Sequence, residues 1–149
     1  MRVVSLACSN TEIVCALGCS DTLVGVDDHS DHPAPVVARL ARVGPDLGID
    51  VEAVRRLEPD LVLASLTLPG HERVVEAIDR AGLRYVAPDP QSLADVGRDC
   101  RDLGRLLGVP ERGEALAAEL DAALVQRPPT GVRVVVEWWP KPVIVPGAR

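Results

Sequence analysis

Aromatic residues are nearly absent from this chain of 149 residues, which contains no Phe, one Tyr and two Trp. A hydrophobic core must therefore be built from Leu, Val, Ile and Ala. The two tryptophans are neighbours, Trp138 and Trp139, so almost all of the aromatic surface lies at one point of the sequence.

Basic residues are also scarce, because 16 Lys and Arg stand against 22 Asp and Glu, which gives a net charge of −6. Nucleic acids and anionic membranes attract clustered Lys and Arg, so we expect neither as a partner. No apolar run approaches the roughly 20 residues that a membrane-spanning helix needs. We therefore predict no direct membrane insertion.

The sequence contains no CxxC pair, and its four cysteines are Cys8, Cys15, Cys19 and Cys100. Buried free thiols are the expected state. The apolar stretch at 1–8 is too short for a signal peptide. It bears only a faint similarity to a lipoprotein cleavage site ending at Cys8, with the leucine out of register.

The most informative stretch is a short apolar run, Leu61–Ala64, with a turn signal before it at Glu58–Asp60. Helical patterns flank the run on both sides, which predicts a parallel strand buried on both faces. Ligands of open α/β sheets sit outside the carboxyl ends of the strands. The segment that follows, Ser65–Glu72, is therefore the first place to look for a site.

Further strands and helices alternate over the first 90 residues. The predicted strands are Arg2–Leu6, Leu23–Val26, Ala41–Gly44 and Leu83–Ala87. The predicted helices start at a capping box of Ser9 and Glu12, at an N-cap on Asp50, and at His71, the last running to Ala81. This alternation predicts an α/β fold: one small Rossmann-like lobe with a parallel sheet over residues 1–90.

The pattern changes after residue 90. A helix capped by Ser92 and a second helix from Pro110 to about Gln126 follow without a strand between them. We expect residues 91–130 to form a helical connector. A strand rich in β-branched residues, Val132–Trp139, then begins a unit over residues 131–149 that is too short for a core of its own.

Several pieces of the sequence, in this order and spacing, resemble the cobalamin- and siderophore-binding class of ABC-transporter substrate-binding proteins, and the vitamin B12 receptors among them most. The pieces are the first strand with Ser9–Glu12, Val24–Val26 with Ser30–Pro33, Gly44 with the helix leading to Leu57–Ala64, and Arg133–Glu137. The resemblance implies two Rossmann-like lobes joined by a rigid backbone helix. This chain would hold the first lobe, the connecting helix and the first strand of the second lobe, a truncated bilobal clamshell.

The resemblance also implies a function and a set of site residues. The protein would be the solute-binding component of an ABC importer that binds cobalamin or a ferric siderophore between the lobes and delivers it to a permease. It would have no catalytic residue, no resident metal and no cofactor. The implied ligand-binding residues are Ser9, Asn10, His29, His32, Ser65, Leu66, Trp138 and Trp139, and Glu72 is the implied permease-docking residue. The location would be periplasmic or at the cell surface, although no signal peptide is recognised here, and otherwise cytoplasmic.

Other interpretations stay open at the level of sequence. Only one of Trp138 and Trp139 can face a cleft from a regular strand, and Glu72 also suits the N-terminal end of a helix dipole. His29 and His32, with the aspartates of the same loop, have the chemistry of a zinc or iron site, although a solvated turn has the same composition. The alternative function is a small cytosolic α/β enzyme using a metal or nucleotide. No Ser/His/Asp set, Walker loop or GxGxxG supports it.

Overall fold

Alternating strands and helices run through most of the described chain, which in this computed structural model comprises residues 1–123, Gly131 and the short strands at 139–140 and 143–144. The strands are β1 (Val3–Ser5), β2 (Leu23–Val26), β3 (Ala41–Arg42), β4 (Leu61–Leu63), β5 (Tyr85–Val86), β6 (Trp139–Pro140) and β7 (Val143–Ile144). The helices are α1 (Cys8–Ala16), α2 (Ala34–Val37), α3 (Val51–Arg56), α4 (His71–Arg80), α5 (Leu93–Leu106) and α6 (Pro110–Ala123), with a 3-10 turn at Ser20–Thr22.

The first five strands form one parallel sheet in the order β3-β2-β1-β4-β5. The first strand in sequence lies at the centre and pairs with β2 on one side and β4 on the other. Strand order therefore reverses between β1 and β4, which makes their carboxyl ends the topological switch point of the sheet.

Hydrophobic side chains pack on both faces of this sheet. One buried set includes Val3, Leu61 and Leu63 of the sheet, Val14 of α1, nearby Leu17, and Leu103 of α5. The opposite set includes Val4 and Val62 of the sheet, Val54 of α3, and Val74 and Ile78 of α4. Alternate residues of β1 and β4 thus point to opposite faces, and both faces are covered by helices, as parallel sheets require. The predicted α/β class with a buried parallel strand at Leu61 is confirmed.

Two of the predicted helix starts have the predicted caps. The Asp50 side chain accepts a hydrogen bond from the Ala53 backbone N–H at 2.9 Å at the start of α3. The Ser92 hydroxyl accepts one from the Asp95 N–H at 3.3 Å at the start of α5. Each cap satisfies an N–H group that has no partner inside the helix.

The capping box predicted for Ser9 and Glu12 is wrong. Helix α1 begins two residues earlier, its N-cap is Ala7, and no side chain caps it. The Ala7 carbonyl instead accepts hydrogen bonds from the Ser5 hydroxyl at 3.2 Å and from the Thr11 backbone N–H at 3.1 Å. Bonds within residues 5–11, rather than a side-chain cap, therefore mark the start of this helix.

Helices α5 and α6 pack directly against each other through glycine. A Cβ added at Gly104 would lie 2.8 Å from the Cα of Gly113, and a Cβ added at Gly113 would lie 2.8 Å from the Cys100 carbonyl oxygen. Leu103 of α5 is 1% exposed and belongs to the sheet core. The division predicted after residue 90 stays a prediction, although α5 shares the core of the lobe.

The strand predicted over residues 132–139 falls mostly outside the described residues. Its last residue, Trp139, begins β6, which includes Pro140 and pairs antiparallel with β7 in a two-stranded sheet. In the part of the chain that is described, no helix is long and apolar enough to cross a membrane. All four cysteines are free thiols; Cys19 and Cys100 are buried, and Cys8 and Cys15 are half-buried.

The glycine contact between α5 and α6 is testable by substitution. We expect Gly104→Ala to lower the free energy of unfolding by about 1–3 kcal/mol, because the new methyl meets backbone atoms that cannot rotate away. Gly97→Ala on the same helix is the matched control, since its Cβ would find its nearest neighbour, the Arg101 side chain, at 3.5 Å. It should raise stability by about 0.5–1 kcal/mol through helix propensity. Equal stabilities in urea unfolding would contradict the close approach.

Candidate ligand-binding site

An open cavity of about 490 Å³ lies at the carboxyl edge of the sheet. Its wall is made by the segments that follow β1, β2, β3 and β4, the place where ligands of open α/β sheets bind. The lining residues are Ala7, Cys8, Ser9, Asp27, His29, Asp46, Thr67, Leu68 and His71. Of the predicted site residues, the structure brings Ser9 and His29 together here.

Asn10, another predicted ligand residue, is buried beside the cavity rather than open to it. Its side-chain amide donates a hydrogen bond of 2.7 Å to the Ala64 carbonyl at the end of β4. The contact ties α1 to β4 across the switch point, so the amide holds the two segments in register. Asn10 also lines a small cavity of about 40 Å³, which Ser9, Ser65 and Asp99 share.

The loop after β2 is fixed by the fully buried carboxylate of Asp27. One carboxylate oxygen accepts the His29 N–H at 2.8 Å and the Ser30 N–H at 3.1 Å, and the other accepts the Ser30 hydroxyl at 2.5 Å. These bonds compensate the cost of removing a charge from water. Arg42 also holds this loop, because its side chain donates hydrogen bonds to the backbone carbonyls of Asp27 and Ser30, each at 2.7 Å.

Hydroxyl groups extend this network to β1 and α1. The Thr11 hydroxyl donates to the Ser5 hydroxyl at 2.8 Å and lies 3.0 Å from that of Ser30. The segments after β1 and β2 are therefore held together by buried polar contacts. Burial, and after it the Asp27 carboxylate, raise the pKa of the Cys8 thiol, which keeps this cavity-lining group uncharged at neutral pH.

The segment after β4 supplies the third part of the wall. Ser65 is 9% exposed, and its hydroxyl lies 2.9 Å from the Thr67 hydroxyl. Leu66, predicted to contact ligand, donates its backbone N–H to the Pro88 carbonyl at 3.0 Å. Of these three residues Thr67 lines the larger cavity, and Ser65 lines the small one beside it.

His32 lies elsewhere. It lines a different cavity of about 650 Å³, whose other lining residues come mainly from α1, α5 and α6. The metal site considered for His29 and His32 is not formed, since the two imidazoles open to different cavities. Over residues 1–123 no group of three or more His, Cys, Asp or Glu side chains is placed to hold a metal ion.

Asp46 and His71 line the cavity but were not among the predicted ligand residues. The carboxylate of Asp46 lies between two imidazoles, 3.7 Å from Nε2 of His29 and 3.9 Å from Nε2 of His71. Asp46 stands in the loop after the short strand β3, which carries no ligand-loop signal of its own. His71 begins α4 and lies within Ser65–Glu72, the segment that the sequence marked as the first place to look for a site.

Glu72 lies at the exposed start of α4, next to the cavity-lining residue His71. The backbone N–H groups of Glu72 itself and of Gly70 hold the pKa of its carboxyl below the ordinary value. The Gly70 N–H donates to the carboxylate at 2.8 Å. Trp138 lies outside the described residues, and only the strand position of Trp139 is described, so their predicted ligand contacts stay predictions.

Comparison with known proteins gives consistent matches. The model of the periplasmic binding protein family matches residues 3–126. A vitamin B12-binding protein of Photorhabdus laumondii is 31% identical over 120 residues, covering 80% of this chain and 43% of that protein. An uncharacterised ABC transporter substrate-binding lipoprotein of Bacillus subtilis is 32% identical over 125 residues, covering 83% of this chain and 39% of that protein.

Solved structures agree with these relatives. The periplasmic vitamin B12-binding protein of Vibrio cholerae aligns with a TM-score of 0.73 at 29% identity, over 83% of this chain and 48% of that one. A periplasmic heme-binding protein from Pseudomonas aeruginosa aligns with a TM-score of 0.72 at 32% identity, over 81% of this chain and 43% of that one. The match thus spans less than half the length of each of these four proteins.

These matches name binding proteins rather than enzymes. They confirm the resemblance predicted from the strand and loop motifs. The family model alone covers well over half of the 149 residues. The chain belongs to the periplasmic binding protein family.

Proposed function

We propose that this chain is part of the solute-binding component of an ABC importer, which binds cobalamin or a related metal chelate and delivers it to a permease. The observation that carries the proposal is the open cavity at the switch point of the sheet, walled by loops that buried hydrogen bonds hold in place. Pre-formed concave sites with a few fixed polar groups are suited to small-molecule ligands. The transported molecule would be a ligand, not a resident cofactor.

The same proposal assigns roles to the predicted residues. Ser9 and His29 contact ligand directly, because both line the cavity. Asn10 and Leu66 position the loops through their bonds to Ala64 and Pro88. Ser65 contacts ligand at the small cavity that it shares with Ser9.

Residues outside this cavity have more distant roles in the proposal. One of Trp138 and Trp139 contacts the ligand from a second wall, since only one of two neighbouring strand residues can face it. His32 contributes from the separate cavity that it lines. The lobe over residues 1–90, the helical connector over 91–130 and the beginning of a second lobe over 131–149 are the proposed domains. The relatives are periplasmic proteins or lipoproteins by name, and a periplasmic or cell-surface location is proposed on that basis.

Ligand titration tests the central proposal. Cyanocobalamin, hemin and a ferric siderophore are each titrated into the full chain while Trp fluorescence is followed, since the only two tryptophans are at the proposed second wall. We expect saturable quenching by one of the three with a Kd of about 1 μM or tighter, which corresponds to about −8 kcal/mol. Calorimetry on the same samples serves as a control for inner-filter absorption. Absence of heat and of quenching with all three would refute the proposal.

Docking to the permease through Glu72 is tested by charge reversal. We expect Glu72→Arg to weaken association with the permease at least about tenfold. The new arginine would be repelled by the positive permease surface that is proposed to bind the carboxylate. Ligand affinity should be unchanged, since the side chain is exposed and does not line the cavity. Glu76→Arg, one turn further along α4 and equally exposed, is the matched control. The same loss in both variants, measured by ligand uptake into permease proteoliposomes, would rule out a specific role for Glu72.

A further inference from the structure

One side of the cavity brings together an imidazole that is buried and a carboxylate that does not bond to it. His71 is 5% exposed, yet its ring lines the cavity. In the described chain no group lies within hydrogen-bond distance of its Nε2; the closest charged atom is Oδ2 of Asp46, at 3.9 Å. That separation exceeds the range of an N–H···O hydrogen bond.

A backbone hydrogen bond determines which nitrogen of the neutral His71 ring carries the proton. The Leu68 N–H donates a hydrogen bond to Nδ1 of His71 at 3.3 Å. A ring nitrogen that accepts a hydrogen bond carries no proton, so the neutral ring places its proton on Nε2. The His71 ring therefore presents an N–H donor to the cavity at Nε2. It presents no lone pair at that atom for a metal ion.

The Asp46 carboxylate stands beside this donor as an acceptor. Its Oδ2 faces His71, and its Oδ1 lies 3.7 Å from Nε2 of His29. Oδ1 also accepts the Leu47 backbone N–H at 2.9 Å, so Oδ2 is the carboxylate oxygen that has no hydrogen-bond partner among the described residues. A second carboxylate, that of Asp27, lies in the same lining, and no Lys or Arg contributes to the wall that the described residues form.

A ligand group that satisfies both neighbours must accept a hydrogen bond from His71 and donate one to Asp46. A primary carboxamide does this, with its carbonyl toward Nε2–H and its NH₂ toward the carboxylate. A carboxylate satisfies His71 but meets the like charge of Asp46, with Asp27 behind it. We propose that Asp46 and His71 form a subsite that selects ligands with carboxamide side chains, as on a corrinoid, over ligands with carboxylate side chains, as on heme.

This inference rests on the proposed function, and its test compares ligands that differ in one group. The full chain is titrated by calorimetry with cyanocobalamin and with its separated monocarboxylic acids, in each of which one side-chain carboxamide is hydrolysed. We expect at least one monocarboxylic acid to bind roughly tenfold or more weakly than cyanocobalamin, because like charge excludes it. Hemin, with two carboxylates, should bind more weakly than cyanocobalamin.

Substitution of Asp46 assigns the discrimination to the subsite. Asp46→Asn keeps the shape, removes the charge and supplies an NH₂ donor, so the penalty on the monocarboxylic acid should fall to less than about threefold. Asp28→Asn is the matched control: the same change of charge on the neighbouring loop after β2, at an exposed residue outside the cavity lining. That variant should keep the full penalty. His71→Ala, checked for folding by circular dichroism, should weaken both ligands by the same factor.

Two kinds of failure are distinct. Equal affinity for every monocarboxylic acid and the parent, tighter binding of hemin, or an unchanged penalty in Asp46→Asn would overturn the carboxamide subsite while leaving a binding protein. Absence of binding to any of these probes would overturn the proposed function and the subsite with it.

Discussion

Parallel pairing of β1 with both β2 and β4 is the constraint from which the geometry of the site follows. The first strand lies at the centre of the sheet, with β2 on one side and β4 on the other. The loops that follow these three adjacent strands therefore meet at one edge of the sheet. The buried pairs Val3–Leu61 and Val4–Val62 fix the register between β1 and β4. A slip of one residue would turn each of these side chains to the opposite face. The position of every cavity-lining loop depends on that register.

Polar groups buried at this edge lose their hydrogen bonds to water, and a network of internal hydrogen bonds replaces them. The Asp27 carboxylate accepts bonds from the segment that it precedes, and Thr11 and Ser5 continue the network into β1 and α1. In residues 1–123 no buried side-chain nitrogen or oxygen lacks a partner. A satisfied network of this kind makes the loop geometry specific, since any other arrangement leaves a charge without compensation. The loop that carries His29 is thereby positioned before any ligand arrives.

The helices that follow the lobe are held by close packing rather than by polar contacts. Gly104 and Gly113 allow α5 and α6 to approach until backbone atoms touch. Arg112 of α6 donates to the Leu17 carbonyl at 3.1 Å, and Leu103 of α5 enters the sheet core. In the proposed clamshell, a pair of helices fixed in this way gives the first lobe a stiff continuation. Opening and closing would then be small.

The sequence by itself determined the parallel α/β class, the buried strand at Leu61 and the helix starts at Asp50 and Ser92, since hydrophobic period and N-cap chemistry are local properties of the chain. It also pointed to the loop after β4, because the carboxyl edge of such a sheet is where ligands bind, and the family resemblance implied the loops after β1 and β2.

Only the tertiary structure decided that Ala7 rather than Ser9 starts α1, that Asn10 bridges to Ala64, and that Asp46 stands between His29 and His71. The contacts of Asn10 and Asp46 join residues far apart in the chain, and no local pattern encodes which polar group will find which partner.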